Sequence, residues 1–253
     1  AQDRADIPHE LYGILRPDEV CDAHGYVARA VRAIQSAFDS GRHPVVVGGT
    51  GLYLNALIHG LSPMPDVPDD VRTCARGLQA EMGNPAFHAY LKTIDPVGAA
   101  RLRPTDTQRL IRAVEVMMAT KRSIADWQDA PRVPPLPDAR FKTILMDAPR
   151  ATLRARAMSR LGAMVTVGVM DEVAEFRDRI LRLGLSPKCP PTRALGYTAF
   201  VDYLDQVMDL DTAIASAFTQ TAQYIKRQQT WFRHQMAFDR VVDVQNEAGN
   251  ALL

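Results

Sequence analysis

Apolar residues recur at helical spacing between Cys21 and Ser40, at Val27, Ala30, Val31, Ile34, Ala37 and Phe38, and Gly41 stands just past the end as a stop. A different pattern follows at once. "HPVVVGG", His43 to Gly49, is a short unbroken apolar run of the kind that forms a strand buried on both faces of a parallel sheet. It runs into Gly48, Gly49, Thr50 and Gly51, and then into a second helical pattern, "LYLNALIHGL", which closes near Gly60. Helix, strand and helix in that order predict a βα-type sheet.

From Ser62 the pattern changes. "SPMPDVPDDVR" is a linker punctuated by proline, with Asp69 or Asp70 near a helix start, and the chain to about Gln128 is helical in pattern. "DAPRVPPLPDAR" is a second proline-rich linker, and "FKTILMDAP" returns to the sheet. A long helical tract then runs from Ala151 to Gly184, interrupted near Gly168. A further helix covers "DLDTAIASAFTQTAQYIKRQQTWFRHQM", and "DRVVDV" reads as a last edge strand. These boundaries predict an α/β core over 1–64 and 136–253, with a helical insertion over 65–135. No internal repeat or low-complexity segment stands out.

Composition narrows this picture little. With 253 residues, 47% apolar and 23% charged, the chain is an ordinary globular protein long enough to bury a full core. No apolar run is long enough to cross a bilayer, and "AQDRADIPHELYG" has neither a basic head nor an apolar h-region. A cytoplasmic protein without a membrane partner is expected. Cys21, Cys74 and Cys189 are far apart and show no Cys-x-x-Cys spacing, which argues against a disulfide framework or a zinc site. Net charge is +1, but only five of the 30 Lys and Arg residues are lysine. Arginine is the better fork for phosphate, although a biased source genome produces the same excess.

Three stretches carry candidate chemistry. In Gly48-Gly49-Thr50-Gly51, glycines let a ligand approach the backbone, and the hydroxyl and amide groups at a helix start suit an anion or a polar base. A tight strand-to-helix turn needs the same residues. A Walker A loop is excluded there, because no lysine in the chain follows a glycine. In "DTQRLIRAVEVMMATKR", Gln108, Arg109 and Arg112 share a face opposite an apolar stripe that includes Leu110; these side chains suit base edges and phosphates, or are a solvated helix face. In "YIKRQQTWFRHQ", Lys226, Arg227 and Arg233 interleave with Trp231 and Phe232, as a nucleic-acid platform or an anchored amphipathic helix would. Arg193, before a Gly-Tyr turn, is a weaker candidate of the same kind.

Together and in this order, "IPHELYGIL", "VVVGGTGLYLNALIHGLSPMP", "DPVGAARLRPTDTQRLIRAVEV", "APRATLRARAMSRLGAMVTVGVMDEV", "RALGYTAF" and "KRQQTWFR" resemble the tRNA dimethylallyltransferases, over nearly the whole chain from Ile7 to Arg233. The resemblance implies transfer of a dimethylallyl group from dimethylallyl diphosphate to the exocyclic amine of the adenosine 3′ of the anticodon. It implies Mg²⁺ as cofactor, a P-loop-kinase-like parallel core, a helical insertion that grips the anticodon stem-loop, and a monomer. The target base is flipped from its loop.

Carried over by position, Thr50 would contact the flipped adenosine and Arg193 the diphosphate, as the two catalytic candidates. Arg72, Gln108, Arg109, Leu110, Ile111 and Arg112 would touch tRNA. So would Arg193, Ala194, Leu195, Gly196, Tyr197 and Thr198, and the run Lys226, Arg227, Gln228, Gln229, Thr230, Trp231, Phe232 and Arg233. The resemblance has gaps. The family's Gly-x-x-x-x-Gly-Lys-Ser/Thr loop and its Asp-Ser-x-Gln segment with the general base would precede Ala1, so the core reads as N-terminally incomplete, with no cofactor-binding loop and no metal ligand in this chain. Ala222 stands where the family has arginine, and "PHE" at Pro8–Glu10 replaces Pro-His-His. Low activity of the chain as written is therefore expected, and a non-catalytic tRNA-binding remnant is the alternative. An enzyme acting on free adenylate would have no use for an arginine-dressed insertion.

Overall fold

The computed structural model describes residues 7–244, and two compact units divide the chain: Ala1–Leu57 with Asp138–Leu253, and Ile58–Pro137. In chain order, the first unit begins with α1 (Ala23–Asp39), started by Asp22, whose carboxylate accepts from the Gly25 amide at 2.7 Å. Gly41 stops it with a φ of 67°. α2 (Gly51–His59) follows and ends at Gly60, φ 82°.

The strand expected over Val45–Val47 is not formed. Among the described residues this segment joins no ladder, and Val45 and Val47 are each 83% exposed. A strand is stabilised by pairing as much as by its own residues, so an apolar run without a hydrogen-bonded neighbour stays an extended connection.

The second unit holds α3 (Asp69–Ile94), α4 (Pro96–Ala100), α5 (Thr107–Thr120) and α6 (Ile124–Gln128). Gly83, φ 69°, and Pro85 bend α3. Its core joins Phe87 and Leu91 of α3 to Leu110, Val114 and Val116 of α5, all 0% exposed. The buried Asp95 carboxylate ties three elements together, accepting from the Gly98 amide at 2.8 Å and the Ile124 amide at 3.3 Å.

Back in the first unit, β1 (Ile144–Asp147) leads into α7 (Arg150–Val167), and Gly168, φ 104°, separates it from α8 (Val169–Arg182). A 3-10 turn at Pro190–Arg193 precedes α9 (Tyr197–Leu204), α10 (Leu210–Gln235) and β2 (Arg240–Asp243). β1 and β2 pair in parallel, Ile144 opposite Arg240 through Asp147 opposite Asp243. α10 packs on α7 and α9 around Leu161, Val173, Phe200, Ala213 and Ala217. The protein is thus a helix-rich α/β fold whose described sheet has two parallel strands. No helix is long and apolar enough to cross a membrane among the described residues.

Candidate functional site

The Gly48–Gly51 turn enters α2 with Thr50 at its cap position, where the Thr50 carbonyl accepts from the Tyr53 amide at 2.9 Å and the Leu54 amide at 3.2 Å. The Thr50 side chain is exposed and makes no hydrogen bond among the described residues. Gly49 and Gly51 do not have positive φ. Space accounts for both, strictly at Gly51 and at Gly49 only so long as Gln228 keeps its place. The Gln228 side chain of α10 occupies the position a Cβ on Gly49 would take, and its Nε2 donates to the Gly49 carbonyl at 3.0 Å. The Trp231 ring likewise fills the space beside Gly51. The close approach that glycine permits here is therefore made by α10.

α1 supports α2 from its own start. Tyr53 Oη donates to the Cys21 carbonyl at 2.6 Å, and the Tyr53 and Tyr26 rings stack at 5.0 Å. Burial, ahead of the nearby Cys21, pushes both phenol pKa values up, so the hydroxyls stay protonated donors at neutral pH. Asn55 Nδ2 donates to the Gln235 carbonyl at 3.3 Å, joining α2 to the end of α10.

The other sequence candidates divide by surroundings. Gln108 and Arg109 are exposed at the start of α5, where Arg109 Nε lies 3.3 Å from the Asp106 carboxylate. Arg112 and Arg72 hold the chain entering the helical unit: Arg112 donates to the Pro65 carbonyl at 3.3 Å and Arg72 to the Val67 carbonyl at 3.0 Å. Arg112 also pairs with the buried Glu115, and Arg72 with Asp66 and Asp69. Leu110 is fully buried in the core of that unit and cannot line an RNA loop, and Ile111 packs partly against the same core.

Arg193, Ala194, Leu195 and Thr198 are exposed around the 3-10 turn and the start of α9, while Gly196 is buried. Tyr197 packs edge-on against Phe176 at 5.9 Å, and burial raises its phenol pKa. Along α10, Lys226, Arg227, Thr230 and Arg233 face solvent. Phe232 is 7% exposed, packed edge-on against Trp231 and Phe238, which withdraws it as a base platform. Gln229 turns inward and donates to Asp147 Oδ1 and the Ala148 carbonyl, both at 3.0 Å. The helical period places these residues on a surface helix, but which of its faces meets the protein is a tertiary fact.

Two hollows flank α7 and α10. One, of about 370 Å³, lies at the carboxyl ends of β1 and β2 and is lined by Asp147, Arg150, Gln229, Arg233 and Asp243. The other, about 220 Å³, gathers Arg150, Arg154 and Lys226 over Ala222. Arg150 and Arg154 are not among the sequence candidates; their i, i+4 spacing at the start of a helix following a strand is the signal that could have marked them. Among the described residues no group of three or more His, Cys, Asp or Glu side chains is placed to hold a metal ion.

The chain thus combines a helix-rich α/β fold with an exposed Thr50 hydroxyl on a braced turn and solvent-facing cations along α10. The chain belongs to the IPP transferase family, whose model matches residues 1–235. It is 47% identical over 234 residues to a tRNA dimethylallyltransferase of Paramagnetospirillum magneticum, covering 92% of this chain and 73% of that protein. A tRNA dimethylallyltransferase of Rhodospirillum centenum is 45% identical over 241 residues, covering 95% and 76%. Among solved structures, the tRNA isopentenylpyrophosphate transferase of Bacillus halodurans superposes with a TM-score of 0.62 at 30% identity, over 98% of this chain and 77% of its own. A eukaryotic dimethylallyltransferase acting on tRNA gives 0.74 at 20% identity, over 99% and 64%, a likeness of fold.

Proposed function

We infer that this chain is a tRNA prenyltransferase, moving a dimethylallyl group from dimethylallyl diphosphate to the exocyclic amine of the adenosine 3′ of the anticodon. In the transfer the amine nitrogen bonds the allylic carbon, the bond from that carbon to the diphosphate oxygen breaks, the diphosphate leaves with the electron pair, and the amine loses a proton. The observation that carries the reading is the braced turn. The space beside its glycines is occupied from α10, while the Thr50 side chain is exposed and has no hydrogen-bond partner among the described residues. A group held that way can accept from or donate to a base edge at no reorganisation cost.

Arg193, exposed at a 3-10 turn, would set a guanidinium against the departing diphosphate. Gln108 and Arg109 on the helical unit, and Lys226, Arg227 and Arg233 on α10, would contact RNA, mostly its phosphates. The parallel pair of β1 and β2, with α7 beginning directly after β1, supports a P-loop-kinase-like core. Family membership brings Mg²⁺ into consideration, which would neutralise diphosphate charge. Among the described residues no group of three or more His, Cys, Asp or Glu side chains gathers around an ion, and Mg²⁺ in this role would be held largely by the oxygens of the diphosphate itself. A monomer is proposed on the resemblance alone.

The test is to incubate the protein with an anticodon stem-loop and dimethylallyl diphosphate, digest the RNA, and analyse nucleosides by mass. A five-carbon prenyl adenosine is expected. RNA bound but unmodified would favour a non-catalytic binder.

A further inference from the structure

We propose that Gln228 and Trp231 are positioning residues for Thr50, acting through the backbone of the Gly49–Gly51 turn, and are not RNA contacts. The proposal rests on the reading of Thr50 as the group that meets the adenosine. Its evidence is the packing of one helix against one turn. Gln228 Nε2 donates to the Gly49 carbonyl at 3.0 Å, immediately before Thr50 in the chain. The Trp231 ring stands against Gly51, immediately after it. The two contacts come from residues three apart, on one face of α10. They grip the residues on either side of Thr50 and leave its side chain free.

Glycine is needed at 51 because the Trp231 ring occupies the space where a Cβ would stand, and a Cβ at 49 would push aside the end of the Gln228 side chain. Trp231 is itself held by Phe232, edge-on at 5.4 Å, and Phe232 by Phe238 at 5.7 Å. On the other side, Tyr53 is anchored to Cys21 and stacked on Tyr26. Thr50 is therefore carried on a turn fixed from α10 below and α1 beyond, which is how a single hydroxyl can be placed closely enough to matter to a rate. Lys226, Arg227 and Thr230, which face solvent from the same helix, remain available for RNA. The segment divides between a bracing face and a binding face.

The experiment uses the full chain, with prenylation kinetics and stem-loop affinity measured on the same preparations. Gln228→Ala is expected to lower kcat about ten- to a hundredfold with stem-loop Kd within about twofold of wild type. The double variant Thr50→Val/Gln228→Ala should be no slower than Thr50→Val alone to within about twofold, because a positioning residue has nothing left to position. Gly49→Ala, whose methyl displaces the flexible end of the Gln228 side chain from the Gly49 carbonyl, should fall to about the level of Gln228→Ala, and adding Gln228→Ala to it should cost no more than about twofold further. If Gln228→Ala does not fold, Gln228→Glu keeps the length and loses the donor. Its activity relative to wild type should rise as pH falls and the protonated acid donates to the Gly49 carbonyl again, a response that loss of packing does not give.

A raised KM and Kd for RNA at unchanged kcat, or losses at 50 and 228 that multiply, would overturn the proposal. Normal kinetics for Thr50→Val would remove the reading of Thr50 itself. An impaired Thr50→Val beside a normal Gln228→Ala would remove the positioning role alone.

Discussion

Thr50→Val separates a catalytic hydroxyl from a structural one. The substitution keeps the β-branch and the volume and removes one donor and its acceptor sites. In this fold the hydroxyl contributes nothing to the cap of α2: the bonds that begin the helix run from the Thr50 carbonyl to the Tyr53 and Leu54 amides at 2.9 and 3.2 Å and survive the change. The side chain is exposed and has no protein partner among the described residues, so stability should change by less than about 0.5 kcal/mol. If the hydroxyl bonds the reacting adenosine, the loss is that of a hydrogen bond within a polarised transition state, about 1.5 to 3 kcal/mol. That converts to roughly ten- to a hundredfold in kcat/KM. The assay is steady-state prenylation of an anticodon stem-loop, with thermal melting on the same samples and Thr50→Ser as the variant that should restore activity. A Thr50→Val enzyme with a lowered Tm and normal activity per folded molecule would refute the reasoning.

Leu110→Ala should destabilise the helical unit by about 2 to 5 kcal/mol in denaturant titration, since Leu110 is fully buried between α3 and α5. Arg109→Ala, beside it in sequence, should leave that midpoint unchanged while weakening stem-loop binding, because an exposed pair with Asp106 is worth little. Stem-loop affinity should fall steeply with added salt in a filter-binding or anisotropy series, and Arg227→Ala should shallow that dependence by about one phosphate contact. The Asp209 carboxylate, which starts α10, is held below its ordinary pKa by hydrogen bonding to Thr212. Its contribution is full above the unfolded value of about 3.9 and is lost as pH falls through the lower folded value. Asp209→Ala should therefore narrow the gap in Tm between neutral and acid pH, measured by circular dichroism.

Much of the helical skeleton is legible in the amino-acid sequence. The start at Asp22 and the stops at Gly41, Gly60 and Gly168 follow from local capping and turn chemistry, while α3 begins at Asp69 with no side-chain cap, its acidic first turn of Asp69 and Asp70 suiting the helix dipole. Val45–Val47 mislead for the opposite reason: a strand depends on a neighbour that local residues do not name. The site is legible to the same limit. The glycines around Thr50 mark a close approach, but not that Gln228 and Trp231 make it, from about 180 residues away in sequence. Leu110 and Phe232 sit inside charged stretches that read as RNA surface, and their burial depends on α3 in one case and Phe238 in the other.

The central claim is that one adenosine in an RNA loop is the acceptor, and its most direct measurement is prenyl transfer to a matched pair of anticodon stem-loops. One carries adenosine immediately 3′ of the anticodon and the other carries guanosine there, with free adenosine monophosphate as a third substrate. Digestion and mass analysis should find a single prenyl group on the first RNA and none on the second or on the nucleotide. Equal labelling of both RNAs, or prenylation of the free nucleotide in preference to the stem-loop, would contradict the account.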